Sequence, residues 1–260
     1  MIAYTAFSDG RGQTKPEPGL RVPKPGFFIM LRVGLTGGLA SGKSTVAATL
    51  RSLGAEVVEA DELGRALMEP GQPVFSQILR VFGPEVIAPD GRLNRARLAD
   101  LAFNHGRLQE LNAIVHPAVI AAQQRWIDQL AARNPSAIAI VESALIFEVE
   151  RDARARGESE TLLSDWRRRF DRIVVVTAPD ELKIARYADR VCSEAADRAA
   201  AEADARLRLS YQIPDAVKAA SADYVLENAK DPALLRVQVG KLWRHLQADS
   251  NKLPQEESLE

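Results

Sequence analysis

One cysteine, Cys192, stands in 260 residues, so no internal disulfide can form. That fits a reducing, cytoplasmic setting. No apolar run approaches the roughly 18 residues of a membrane-spanning helix, and no repeat is present. Lysine plus arginine (34) nearly balance aspartate plus glutamate (35). Composition therefore makes no case for a nucleic-acid binder, and membrane or nucleic-acid partners are not expected. Residues 1–30, with "FSDGRGQTKPEPGLRVPKPG", lack periodicity and the apolar stretch of a signal peptide. They read as a disordered extension, or as the product of a start set too early, with Met30 as the true first residue. Residues 249–260 read as a polar tail.

What remains is 46% hydrophobic overall and can bury a core. Five strand-length, β-branched runs stand out: "LRVGLTG" (31–37), "AEVVEAD" (55–61), "AIAIVES" (137–143), "RIVVVTA" (172–178) and "ADYVLEN" (222–228). Helical patterns lie between them. Near-continuous apolar strands spaced by helices predict a parallel sheet covered on both faces. The first helix runs through "KSTVAATLRSLG", with Val46, Leu50 and Leu53 on one face and Gly54 closing it. The helical stretch 62–134 is too long for a simple crossover and reads as an inserted subdomain at the carboxyl edge of the sheet, where ligands bind. A second, 180–220, reads as a lid. The charged stretch 149–171 mixes both signs and reads as a solvated face.

Gly37 to Ser44 spell G-x-x-x-x-G-K-S between a strand and a helix, the context such a loop requires. Gly37 and Gly42 let backbone N–H groups turn inward around phosphate oxygens. The helix N-terminus adds positive potential. In that chemistry Lys43 reaches the β- and γ-phosphates and the Ser44 hydroxyl ligates Mg²⁺. A nucleoside triphosphate is the expected ligand. The loop does not say where the γ-phosphate goes.

"VVEADELG" (57–64) bears on that choice. "DELG" fits the D-x-x-G of a GTPase, but "NAKD" (228–231) has its guanine-reading letters in the wrong order. An ATPase motor would carry an acid at the end of the third strand, and Glu142 could serve. A small-molecule kinase wants an acid beside the loop, facing the acceptor, and Asp61 at the end of the second strand fits. Such an acid aims a hydroxyl, because phosphoryl transfer gains mainly from positioning and charge neutralisation. Asp61 could equally cap the following helix.

Between Leu31 and Leu246 the chain resembles the dephospho-coenzyme A kinase family. The resemblance is carried by "LTGGLASGKST", "EAD", "EPGQP" (69–73), "FG" (82–83), "DGRLNRARL" (90–98), His116-Pro117, "ESALIFE" (142–148) and "QIPDAVKAASADYVLEN" (212–228), in that order. It implies a three-layer α/β fold of the P-loop NTPase type, with a five-stranded parallel sheet, a helical acceptor-binding insertion and a helical lid. In these boundaries the kinase domain is 31–248: core 31–61, 135–179 and 221–248, acceptor-binding insertion 62–134, lid 180–220. The implied reaction is ATP-dependent phosphorylation of the ribose 3′-hydroxyl of dephospho-coenzyme A, with Mg²⁺ accompanying ATP. By position, Asp61, Lys43 and Arg190 are implied as catalytic. Gly37, Gly38, Ala40, Ser41, Gly42, Lys43, Ser44, Thr45, Arg186 and Asn228 are implied as ATP contacts. Asp61, His116, Pro117 and Gln212 are implied on the acceptor side, and Ser44 as the metal ligand. The lid spacing is longer than the family's, which makes Arg198 a second candidate for the lid arginine. Ala40 replaces a common glycine, and an alanine is tolerable there if its φ is negative. Ala144 replaces a common proline, and the 149–171 insertion is unusual for the family.

Overall fold

A computed structural model describes residues 30–192, 197–229 and 231–253. The expected extension before Met30 and the last residues of the tail lie outside the described residues. Five parallel strands form one sheet in the order β2-β3-β1-β4-β5: β1 (Leu31–Thr36), β2 (Glu56–Glu59), β3 (Ile138–Glu142), β4 (Arg172–Thr177) and β5 (Tyr224–Glu227). Every residue of β1 and β3 is buried. That is why their sequences are apolar runs rather than alternations.

Each face of the sheet has its own core. On one side Leu31, Val33 and Leu35 meet Val46, Ala47 and Leu50 of α1 (Lys43–Ser52) and Leu235, Val239, Leu242 and Leu246 of α10 (Pro232–Asn251). Leu53 departs from the expected helix face: it is the C-cap residue and 41% exposed, while Gly54 follows at φ +108°. On the other side Ala139, Val141, Ile173 and Val175 meet Ile127 and Leu130 of α5 (Leu108–Arg133) and Ile146 and Phe147 of α6 (Ile146–Ala155). Trp166 and Phe170 join this core, and Trp126 packs against it. At Gly34 a Cβ would lie 2.9 Å from both Ile146 and Phe170, so the missing side chain lets this layer sit close on the sheet.

The region between β2 and β3 is helical, as read from sequence: α2 (Ala60–Leu67), α3 (Pro73–Phe82), α4 (Arg95–Phe103) and α5. Val74, Ile78, Phe82, Val86, Leu93, Leu98 and Leu101 form a third core there, against Leu111, Ile114 and Val115 of α5. With 26 residues, α5 is about 39 Å long. Its first half serves this small core and its second half the sheet. The region after β4 forms α7 (Asp180–Val191), α8 (Arg198–Tyr211) and α9 (Asp215–Ala220). No helix among the described residues is long and apolar enough to cross a membrane.

Two expectations are corrected. The stretch 149–171 is a solvated face only in part: Arg151, Arg154, Arg156, Glu160, Arg167 and Arg168 are exposed, while Val149, Glu150, Asp152, Ala153, Ser164, Trp166, Arg169 and Phe170 are buried. Its buried side forms because α6 and a 3-10 turn (Trp166–Arg168) lie against the sheet, and the buried Glu150 is neutralised by the exposed Arg154. The polar tail does not begin at 249. Asp249 is buried in α10, accepts hydrogen bonds from Arg172 (2.8 Å) and Tyr224 (2.7 Å), and Leu253 reaches the core.

Candidate active site

The loop between β1 and α1 is shaped by backbone conformation. Gly37 has φ +149°, and a Cβ there would lie 2.2 Å from the Val176 carbonyl oxygen. Gly42 has φ +101° and caps α1 without a side-chain bond, leaving the first N–H groups of the helix for an anion. A Cβ at Gly42 would lie 2.1 Å from Asn228 Nδ2, which donates to the Ser41 carbonyl at 2.8 Å. Asn228, expected as an ATP contact, is thus packed beneath the loop and holds it. Ala40 does not meet the condition of a negative φ: its φ is +51°. A nest of inward N–H groups needs left-handed residues at intervals, and this position is one of them. An L-residue there costs about 1–2 kcal/mol.

Lys43 is buried and donates from Nζ to the Gly37 (3.1 Å) and Gly38 (2.9 Å) carbonyls. Burial lowers its pKa to about 8, Lys218 pushes the same way, and Glu142, Asp61 and Asp215 oppose it. Glu142 ends β3. Burial raises its pKa, Lys43 draws it back, and Glu59 and Asp61 raise it again. Ser44 Oγ donates to Glu142 Oε1 at 3.5 Å, while the buried Glu142 Oε2 has no partner among the described residues. A hydroxyl beside a carboxylate with an orphaned oxygen suits Mg²⁺, which takes few protein oxygens and completes its shell with phosphate and water. Sequence reading had weighed Glu142 only for a motor. Ser44 and Thr45 are exposed in the first turn of α1.

Strand β2 stops at Glu59, so Asp61 falls two residues later, in the first turn of α2. It does not cap: the N-cap residue is Glu59, and no side-chain cap bond forms. Asp61 instead lines a cavity of about 310 Å³ between α2, α5 and α6. The wall is mostly apolar, from Leu111, Val115, Val119, Ile120, Leu145 and Val149. Buried His116, Gln123 and Arg169 interrupt it. Burial drops His116 to a pKa of about 4 despite the pull of Asp152, so it is a neutral imidazole near pH 7. Its Nδ1 has no partner among the described residues. Pro117 does not reach the cavity. It is exposed on the outer face of α5. Trp126 does not line it either.

The helices after β4 bring further residues to the loop. Arg186 Nη2 donates to Asn228 Oδ1 at 3.4 Å, and its buried Nη1 has no partner among the described residues. Arg190 is exposed, its guanidinium 5.7 Å from the Tyr187 ring centroid. Arg198 spends its charge on Asp189 (2.6 Å) and Glu202 (3.1 Å). Gln212 stands against the loop rather than the cavity: its Oε1 accepts from the Leu39 N–H at 2.9 Å. Asp215 Oδ1 accepts from the Gly38 N–H at 3.0 Å, and its Oδ2 holds buried Lys183 at 2.9 Å. Lys218 is fully buried, paired with Glu148 at 2.7 Å and donating to the Ala144 carbonyl at 3.0 Å. Asp215 lies within the 212–228 motif but carries no role there from sequence, and Lys183 has no sequence signal, because a buried pair far apart in the chain leaves no motif of its own.

A loop for a triphosphate, facing an acid on the wall of a largely apolar cavity, is the layout of a small-molecule kinase. The protein-family comparison agrees: residues 31–233 match the model for dephospho-CoA kinase (CoaE). A dephospho-CoA kinase of Anaeromyxobacter dehalogenans is 41% identical over 211 residues, 81% of this chain and 89% of that one. Another, of Moorella thermoacetica, is 35% identical over 220 residues, 84% of this chain and 93% of that one. Among solved structures, TT1252 of Thermus thermophilus superposes with a TM-score of 0.63 at 29% identity, covering 84% of this chain and 97% of that one. With loop, acid and cavity in place and the match running through all of them, the chain belongs to the dephospho-CoA kinase family.

Proposed function

We propose that ATP sits on the 37–45 loop and dephospho-CoA in the cavity, and that Asp61 directs the acceptor's ribose 3′-hydroxyl at the γ-phosphorus. The activity is that of a dephospho-CoA kinase. One observation carries the assignment of Asp61. It lines the acceptor cavity and also lies within electrostatic reach of Lys43 and Glu142, the charged groups of the loop side. No other carboxylate on the cavity wall does both.

The division of labour follows from the geometry. First-turn N–H groups of α1 and Lys43 hold the β- and γ-phosphates. Lys43 now rests on loop carbonyls and exchanges them for phosphate oxygens. Ser44 and Glu142 would hold the Mg²⁺ that accompanies ATP and neutralises phosphate charge. Asp61 accepts the hydroxyl's proton as its oxygen approaches phosphorus. Arg186, with an unpartnered buried nitrogen, contacts the nucleotide. Arg190, which makes no ion pair among the described residues, is the better placed lid arginine, because Arg198 is already neutralised. Neutral His116 offers a hydrogen bond to the acceptor and not a charge. Gln212 supports the loop. The apolar cavity excludes water and so protects ATP from hydrolysis.

The test is acceptor dependence. ADP release from Mg-ATP should rise steeply on adding dephospho-CoA, with one coenzyme A formed per ADP. ADP release at the same rate with and without dephospho-CoA would mark an NTP hydrolase and sink the reading.

A further inference from the structure

The cavity wall holds a cation to which the reaction described above gives no task. Arg169 follows the 3-10 turn Trp166–Arg168 within the unusual 149–171 stretch. It is 5% exposed and lines the same cavity as Asp61. Its Nη2 donates to the Ile146 carbonyl at 3.2 Å, and its Nε has no partner among the described residues. No described carboxylate forms an ion pair with it. The two acids whose charge it feels are committed elsewhere, Glu150 to Arg154 at 2.5 Å and Asp165 to Arg168 at 3.8 Å. Burial brings its pKa down to about 10, which still leaves a cation near neutral pH.

A buried cation without a counter-ion is costly, and removing one side of such a pair destabilises strongly. A guanidinium also offers donors only. The cost falls when acceptor oxygens enter the cavity. The wall narrows what those belong to. His116 is neutral, Gln123 is an amide, and the remaining buried side chains named above are apolar. Arg65 and Arg95 also line the cavity, but both are exposed, and Arg95 pairs with Glu69 at 3.5 Å. Arg169 is therefore the one buried charge among the described residues of this wall, and it calls for an anion. The acceptor assigned above carries one such group, a diphosphate on the ribose 5′-carbon, close to the hydroxyl that Asp61 takes.

We propose that Arg169 binds the diphosphate of the acceptor and selects acceptors that carry it over bare nucleosides. This rests on the dephospho-CoA reading and deepens it. It also gives the 149–171 stretch a task, since that stretch carries the guanidinium across the sheet face to the cavity. Arg169 is then a specificity-determining residue, distinct from the groups that move the phosphoryl.

The test is equilibrium dialysis of dephospho-CoA and of adenosine, without ATP, against the full chain and its R169M and R169K variants, with a thermal melt of each. R169M should weaken dephospho-CoA by about 10- to 100-fold, the scale of a charge-assisted hydrogen bond. R169K, keeping the charge, should recover part of that loss. Adenosine affinity should hold within about twofold and the melting temperature of R169M should not fall, because the variant removes an unpaired buried charge. Equal weakening of both ligands, no change in dephospho-CoA, or a lower melting temperature for R169M would overturn the assignment. The kinase reading fails separately. A wild-type chain that binds dephospho-CoA and forms no coenzyme A contradicts that reading, while the dialysis still decides the role of Arg169.

Discussion

The phosphate loop and the acceptor cavity are neighbours built on opposite plans. The loop is nine consecutive residues, 37–45, whose function lies in the backbone: glycines at positive φ, N–H groups turned inward and a helix start behind them. The cavity draws on five separate stretches, around Asp61, Arg95, His116, Leu145 and Arg169, and its function lies in side chains that packing brings together. A backbone site tolerates little change at each position but leaves a contiguous signature. A side-chain site leaves none, and its specificity can be rewritten by one inserted turn.

The largest expected effect tests whether the loop is as self-contained as its signature suggests. Gln212 and Asp215 hold its N–H groups, and the segment that carries them is anchored by the buried Lys218–Glu148 pair. Lys218→Met leaves Glu148 buried and unpaired and should cost about 3–5 kcal/mol in urea unfolding. A double replacement by apolar residues should recover most of it. Equal losses in the single and double variants would show that the pair itself is not the anchor.

Next comes the line between the two sites. Asp61→Asn should lower phosphoryl transfer by about 10²-fold or more, the usual scale for an acid–base group. ATP affinity, measured by titration, should stay within about twofold. Equal loss of both would move Asp61 to the metal or the fold.

The loop side should also show its own pH dependence. Lys43 is depressed to about 8 in the free protein, and phosphate oxygens favour its protonated form. Above pH 8 binding must take up a proton. ATP affinity should therefore fall with rising pH, by about tenfold per unit until the bound-state pKa is reached. A flat profile between pH 7 and about 10 would contradict the depressed value. The smallest effect belongs to Ala40→Gly, which relieves a left-handed alanine and should raise stability by about 1 kcal/mol, read as a shift in the urea midpoint.

The strands were legible because β1, β3 and β4 are buried on both faces and carry unbroken apolar runs. Their order in the sheet was not legible, since it depends on which crossover packs where. Asp61 was legible as an acid beside the loop, though its place in the first turn of α2 was not. The φ of Ala40 was not legible, because a residue type does not report it when neighbouring glycines set the turn. The charged stretch 149–171 was legible only in part: most of its charges are exposed, but charge density does not show which ones turn inward, and Glu150, Asp152 and Arg169 are buried, Arg169 on the cavity wall. Gln212 carried a family position but not its neighbour, the Leu39 N–H, which only the fold supplies.

The central claim is that Asp61 aims one particular hydroxyl at ATP. The phosphorus-31 spectrum of the product formed from dephospho-CoA and Mg-ATP tests it most directly. A new phosphomonoester resonance coupled to the ribose H3′ is the predicted result. Coupling to H2′ instead, or no phosphomonoester at all and only the ADP and inorganic phosphate of hydrolysis, would contradict it.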